Sequence, residues 1–385
     1  MKLRFVVAMS ALSLVLGLSG CSTVSGWFGS SPAREAAKPA ALVDFKPLVD
    51  LTEAWKSEVG DSGSQPFRLH AEGDSVFAAG ATRVARLNLN NGSSLWRVDV
   101  PSRLSAGVGV GQGLVVVGAG KGEVIALDAG NGEVRWKATL STEVSSGLLV
   151  VPGMVVVRTG DGRVQGLSEA DGSRKWLYSR NLPALSLRGS GGMAARDGVV
   201  YVGFPGGKLV ALNAANGAQL WESTVAVPRG ATELERVADV MGNPALDARQ
   251  VCAVAYQGRV ACFDLRKGSP LWTRDTSSNS GLAMDARYVY VTDDSDAVTA
   301  YDKDSGRAVW RQDKLARRDV TAPLALGDWV VVGDGEGYVH VLSAEDGSFA
   351  ARTKVDSAVL AAPSDIGPGL AVQTTKGSVV AFKLK

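Results

Sequence analysis

The residues best suited to covalent or metal chemistry are few and badly spaced for it. The chain of 385 residues has two histidines, His70 and His340, and three cysteines, Cys21, Cys252 and Cys262. Neither histidine has a second His or a Cys at metal-ligand spacing, and they sit in distant parts of the chain, so a structural role is expected for both and no metal site. The glycine run "AGVGVGQG" lacks the strand–turn–helix setting of a dinucleotide loop, and no Gly-x-Ser-x-Gly elbow occurs. Cys252 and Cys262 stand ten residues apart in "VCAVAYQGRVACF" with no base nearby, which argues against a catalytic thiol. In an oxidising compartment they form an even pair, and a disulfide is expected if the hairpin register puts both side chains on one face. No catalytic residue and no cofactor is expected from these patterns.

Cys21 has a different context. "MKLRFVVAMSALSLVLGLSGC" has two cations ahead of an apolar run too short to span a bilayer, then small residues before the cysteine. This is the form of a bacterial lipoprotein signal: residues 1–20 are expected to be removed and Cys21 to be acylated, anchoring the chain to a membrane. By the sorting pattern of such signals, Ser22 implies the outer membrane. Residues 21–49, rich in Ser, Ala, Gly and Pro, are read as a flexible tether reaching ~25–30 Å.

The whole chain has 41 Lys and Arg against 39 Asp and Glu, and loss of Lys2 and Arg4 with the signal removes the difference. A neutral chain has no electrostatic footprint for a phosphate backbone, so nucleic acid is excluded as a partner class. With 46 glycines and 45% hydrophobic residues, the composition favours many short strands joined by turns.

Those strands are organised by a repeat. Windows such as "EVIALDAGNGEVRW", "KLVALNAANGAQLW" and "AVTAYDKDSGRAVW" align without gaps and close on Trp96, Trp136, Trp176, Trp221, Trp272 and Trp310; a seventh, "YVHVLSAEDGSFAA", has Ala351 in the Trp position. Each unit reads as four strands in about 40 residues, the pattern of a β-propeller blade. A β-solenoid would need shorter coils and no hairpin turns. The last unit, "GSVVAFKLK", stops before its Trp strand, while "LTEAWKSEV" near the start is a Trp strand without a hairpin. Residues 50–385 are therefore read as an all-β, eight-bladed propeller, closed by pairing of the N-terminal strand with the C-terminal blade, which also hides two sheet edges.

Blades ending in "ALDAGNGEVRW" resemble the tryptophan-docking repeats of pyrroloquinoline-quinone-dependent dehydrogenases, but those enzymes carry a vicinal Cys-Cys that this chain lacks. Lipobox, tether, eight such blades and one long insertion together resemble the BamB family, lipoproteins of the outer-membrane β-barrel assembly machinery. That resemblance implies a non-enzymatic scaffold that binds the periplasmic POTRA domains of BamA and assists insertion of outer-membrane barrel proteins, with nascent outer-membrane proteins as a further partner class. The family's Leu-x-Leu-Arg motif, here "LSLRG", places a partner-binding role on Leu185, Leu187 and Arg188; its Glu-rich loop ending in Asp-Val, here "TELERVADVM", places one on Asp239. Where the family often has a second Asp, this chain has Met241. The other readings are a periplasmic quinoprotein-like dehydrogenase and a generic propeller that captures peptides by strand addition.

The repeat gives these positions an independent meaning. Trp221 and Trp272 are separated by the same interval as Arg188 and Asp239, which predicts equivalent places on neighbouring blades at one end of the central channel. Such a cation and anion can pair with each other or form a polar patch, and an exposed pair contributes only ~0–1 kcal/mol. Residues 227–244, "VPRGATELERVADVMGNP", lengthen one unit; Thr232 and Glu235 have capping-box spacing, predicting a helical turn with Leu234 and Val237 on one face.

Overall fold

The computed structural model describes residues 38–145, 147–187 and 191–385. Cys21, the signal segment and Arg188 lie outside the described residues. From Pro39 onward the chain forms one compact unit.

Eight four-stranded antiparallel sheets make up the propeller. Blades 1 to 7 follow one another in sequence, each laid down from its inner strand outward, as in blade 4 with Met193–Arg196, Val199–Phe204, Lys208–Asn213 and Gln219–Thr224. Blade 8 takes Ser364–Asp365, Leu370–Gln373 and Ser378–Leu384 from the C-terminus and its outer strand, Leu51–Glu58, from the N-terminus. The register runs from Leu51 opposite Leu384 to Glu58 opposite Ser378. Asp50 and Lys385 then exchange backbone hydrogen bonds of 3.0 and 3.1 Å, so the ring closes at its two ends as the sequence indicated.

The repeat residues have definite tasks. In the third hairpin of blade 2, the Asp128 carboxylate accepts the N–H groups of Gly130 (2.8 Å) and Asn131 (3.1 Å), and Gly132 completes the turn at φ +78°. Asn213 does the same in blade 4 for Ala215 and Asn216. The indole of the preceding blade docks on this turn. Trp136 Nε1 donates to Glu169 O at 2.8 Å, Trp176 to Ala214 O at 2.9 Å and Trp272 to Lys303 O at 2.7 Å. The glycine is required twice over, because a Cβ on Gly217 would lie 2.5 Å from Trp176 while its φ of +71° is already in the left-handed region. Among the described residues, seven tryptophans from Trp55 to Trp310 dock in this manner.

Residues 39–49, read as part of a flexible tether, pack along blade 7. Phe45 stacks on Phe349 with centroids 5.4 Å apart, and Leu48 N–H donates to Ala350 O at 2.8 Å. Two arginines hold the segment by its carbonyls: Arg318 donates to Ala40 O at 3.0 Å and Arg352 to Val43 O at 3.1 Å. Beneath them lies a buried network. Arg318 Nε donates to Asp334 at 2.7 Å, His340 Nε2 bonds the same carboxylate oxygen at 2.9 Å, and Arg352 Nε donates to His340 Nδ1 at 3.2 Å. Since Nδ1 accepts, the Nε2 proton faces Asp334; burial lowers the His340 pKa and favours this neutral form. His340 is thus structural, and it orients the arginines that grip the strap.

Candidate functional rim

The loop from blade 3 to blade 4 and the insertion between blades 4 and 5 meet on one rim of the propeller. Their joint is Asp239, which is fully buried. Its Oδ2 accepts the Leu187 N–H at 2.6 Å and its Oδ1 the Gly206 N–H at 3.1 Å, while its own carbonyl accepts from Tyr256 at 2.8 Å. One residue therefore ties together the blade 3–4 loop and the Gly206 turn of blade 4 through its carboxylate, and blade 5 through its carbonyl. Bonds to charged groups contribute about 1.5–3 kcal/mol each, and a buried carboxylate stripped of them is costly.

Arg158, at the end of strand Met154–Arg158, supports the same loop from below. It is buried, its Nη1 donates to Gly191 O, and its guanidinium stacks on Phe204 at 5.3 Å. Arg180 stacks on Phe204 at 5.2 Å and pairs with Glu222 at 3.2 Å. Burial draws the Arg158 pKa down to about 10, with Asp239 acting in the opposite direction, so it stays cationic at neutral pH.

The apolar side chains at this rim divide into exposed and inward-facing groups. Leu185 is 43% exposed, Val227 58% and Leu234 72%. Leu187 is half-buried and lines a cavity of about 500 Å³ with Leu182, Pro205 and Arg158. The insertion makes its capping box: Glu235 accepts the Thr232 N–H at 3.0 Å, and Thr232 Oγ1 accepts the Glu235 N–H at 3.3 Å. A single turn follows, with Arg236 N–H reaching Thr232 O at 3.2 Å. Leu234 and Val237 do not share an exposed face, since Val237 is buried under the turn.

The sequence-derived site is therefore reordered. Leu185 is available to a partner and Leu187 borders the cavity, whereas Asp239 has no exposed surface and both its oxygens are taken by backbone. The expected surface pair or polar patch gives way, on the Asp239 side, to a buried positioning group. Met241, half-buried, lines the channel and pairs across the strand with Val254. Arg158 was not singled out by sequence reasoning; its only signal is a charge ending an otherwise apolar strand, "MVVVR". Elsewhere, Cys252 and Cys262 face each other across one hairpin and are joined by a disulfide.

The sequence profile described as outer membrane protein assembly factor BamB matches residues 80–312 and 295–385. Together these stretches span most of the propeller. The chain belongs to the BamB family. A BamB family member from Burkholderia pseudomallei is 43% identical over 383 residues, covering 99% of this chain and 98% of its own length. One from Pseudomonas aeruginosa is 45% identical over 379 residues, covering 97% and 98%. The crystal structure of BamB from Moraxella catarrhalis superposes with a TM-score of 0.81 at 27% identity, covering 87% of this chain and all of that one. The quinohemoprotein alcohol dehydrogenase of Comamonas testosteroni has a TM-score of 0.69 at 15% identity, over 86% of this chain and 76% of that one, a likeness of fold alone.

Proposed function

We propose that this chain is a non-enzymatic scaffold of the outer-membrane β-barrel assembly machinery. In this reading it is anchored through acylated Cys21 to the periplasmic face of the outer membrane, and it docks on the POTRA region of BamA to assist assembly and insertion of barrel proteins. The observation that carries the proposal is the rim where Leu185, Val227 and Leu234 are exposed on loops that converge on buried Asp239. Apolar anchors presented by a pre-ordered backbone have the anatomy of a protein-binding patch. Leu185 and Leu187 are the proposed apolar contacts, Arg188 the proposed charged one, and Asp239 acts by holding Leu187 in place. Full-length BamB relatives at this level of identity support the assignment to the assembly machinery.

The test is co-purification of BamA from detergent-solubilised outer membranes with a Leu185→Glu, Leu187→Glu double variant. Removal of hot-spot contacts costs 2 kcal/mol or more, so capture should fall roughly 30-fold while the melting temperature is unchanged. Undiminished capture by the folded variant moves the patch elsewhere; absence of BamA from the unaltered chain rejects the assignment.

A further inference from the structure

The inner walls of blades 1 to 3 hold polar groups that the partner rim does not use. Arg68 is exposed between buried Phe67 and Leu69, just ahead of the inner strand His70–Glu72. It borders a channel cavity of about 510 Å³. It is open to solvent in the channel, yet the surrounding protein wall draws its pKa below the ordinary value through desolvation, with no carboxylate restoring it. No hydrogen bond or ion pair joins Arg68 to any described residue.

Two hydroxyls nearby share this condition. Ser105 Oγ, from the inner strand Leu104–Gly111, and Ser145 Oγ, from the entry to blade 3, are both buried without a hydrogen-bond partner among the described residues. Both serines, with Gln65, border the channel cavity and also the cavity beneath Leu187. The segments are in contact: a Cβ added to Gly107 would lie 3.5 Å from the backbone N of Arg68. Buried donors without acceptors are rare because each forfeits its hydration. Here two of them border the same cavity as the solvent-exposed, unpaired guanidinium of Arg68.

We propose that the channel wall at Arg68, Ser105 and Ser145 is a binding site for a carboxylate. The charge around the site selects a monoanion. Arg68 supplies one positive charge, whereas Glu143, Asp296 and Asp319 border the same cavities and disfavour a phosphate dianion. A carboxylate can accept the guanidinium fork with one or both oxygens and retain lone pairs for the serine hydroxyls. The ligand is either a small free carboxylate or the C-terminus of a peptide chain entering the channel. This site is independent of the rim contacts proposed above.

The experiment is calorimetric titration of the full chain in detergent with N-acetyl-trialanine, its C-terminal amide, propionate and inorganic phosphate. Saturable binding of the free-acid peptide or of propionate, but not of the amide, is expected. A preference for the peptide identifies a chain end as ligand, and a preference for propionate a free acid. Arg68→Gln should weaken binding about tenfold or more, Arg68→Lys less, and Ser105→Ala with Ser145→Ala a few-fold. If Arg68→Gln lowers the melting temperature, Arg68→Lys and the serine variants decide the matter. Equal binding of the amide, tighter binding of phosphate, unaltered affinity in all of these variants, or no saturable heat up to about 10 mM ligand overturns the proposal.

Discussion

Seven blade junctions are docked by an indole on the turn of the next blade, and the junction between blades 7 and 8 is not. The difference lies in the acceptor. Each docked Trp needs the carbonyl and the glycine of a hairpin linking the third and fourth strands, as Ala214 and Gly217 serve Trp176. Blade 8 has no such hairpin, because its third and fourth strands are the two ends of the chain. An indole at position 351 would find neither acceptor nor glycine floor, and Ala351 stands there instead. This junction is filled by Leu370, Val380 and Phe382 with Val49 and Leu51 from the N-terminal side. One departure from the repeat thus follows from another: the circular closure removes the turn, and loss of the turn removes the tryptophan.

Three substitutions probe that contrast. Trp176→Ala should cost about 3–5 kcal/mol in urea unfolding, through the emptied groove and the orphaned Ala214 carbonyl. A cost below about 1 kcal/mol would mean that strand pairing rather than docking holds the junctions. Ala351→Trp restores the repeat consensus where it has no seat, and should destabilise by about 1–3 kcal/mol through overpacking. Stabilisation by that change would show that blade 8 offers a cryptic acceptor.

The smallest effect concerns the closure. Asp356 joins the two ends by accepting from Lys56 at 2.9 Å and from Ser378. Burial raises its pKa, but those hydrogen bonds outweigh burial and hold it at about 2, below its ordinary value of 3.8. A depressed carboxylate stabilises the fold fully above its unfolded pKa, and that contribution is lost as pH falls from about 4 to 2. Lys56 is well exposed, so solvent screening limits the effect to about 0.5–1 kcal/mol. Asp356→Asn should flatten the acid limb of the stability curve in that window and leave the Trp junctions untouched. An unchanged acid limb would remove Asp356 from the closure.

The ring was legible in the sequence because each blade repeats its turn chemistry at a constant offset. Asp or Asn, then Gly, then Trp are local demands of one hairpin and its docking neighbour. The orphan strand around Trp55 disclosed the closure for the same reason. The strap at residues 39–49 was not legible, because its order comes from Arg318 and Arg352, distant in sequence, gripping main-chain carbonyls that carry no side-chain signature. Asp239 could be placed at the rim by register alone. Its task could not, because a carboxylate that caps backbone N–H groups and one that faces a partner look alike in sequence. The same holds for Arg68, whose significance is that no side chain among the described residues pairs with it.

The strap also has a mechanical meaning. A chain pulled from its amino end would ordinarily peel the terminal strand Leu51–Glu58 away one hydrogen bond at a time, opening the ring at its closure. Here a load arriving at Pro39 meets the Ala40 and Val43 carbonyls clamped by arginines, and then the Phe45–Phe349 stack, before it reaches Leu51. Tension is delivered to blade 7 and its buried His340–Asp334 network, and the strand that closes the circle is spared the tug.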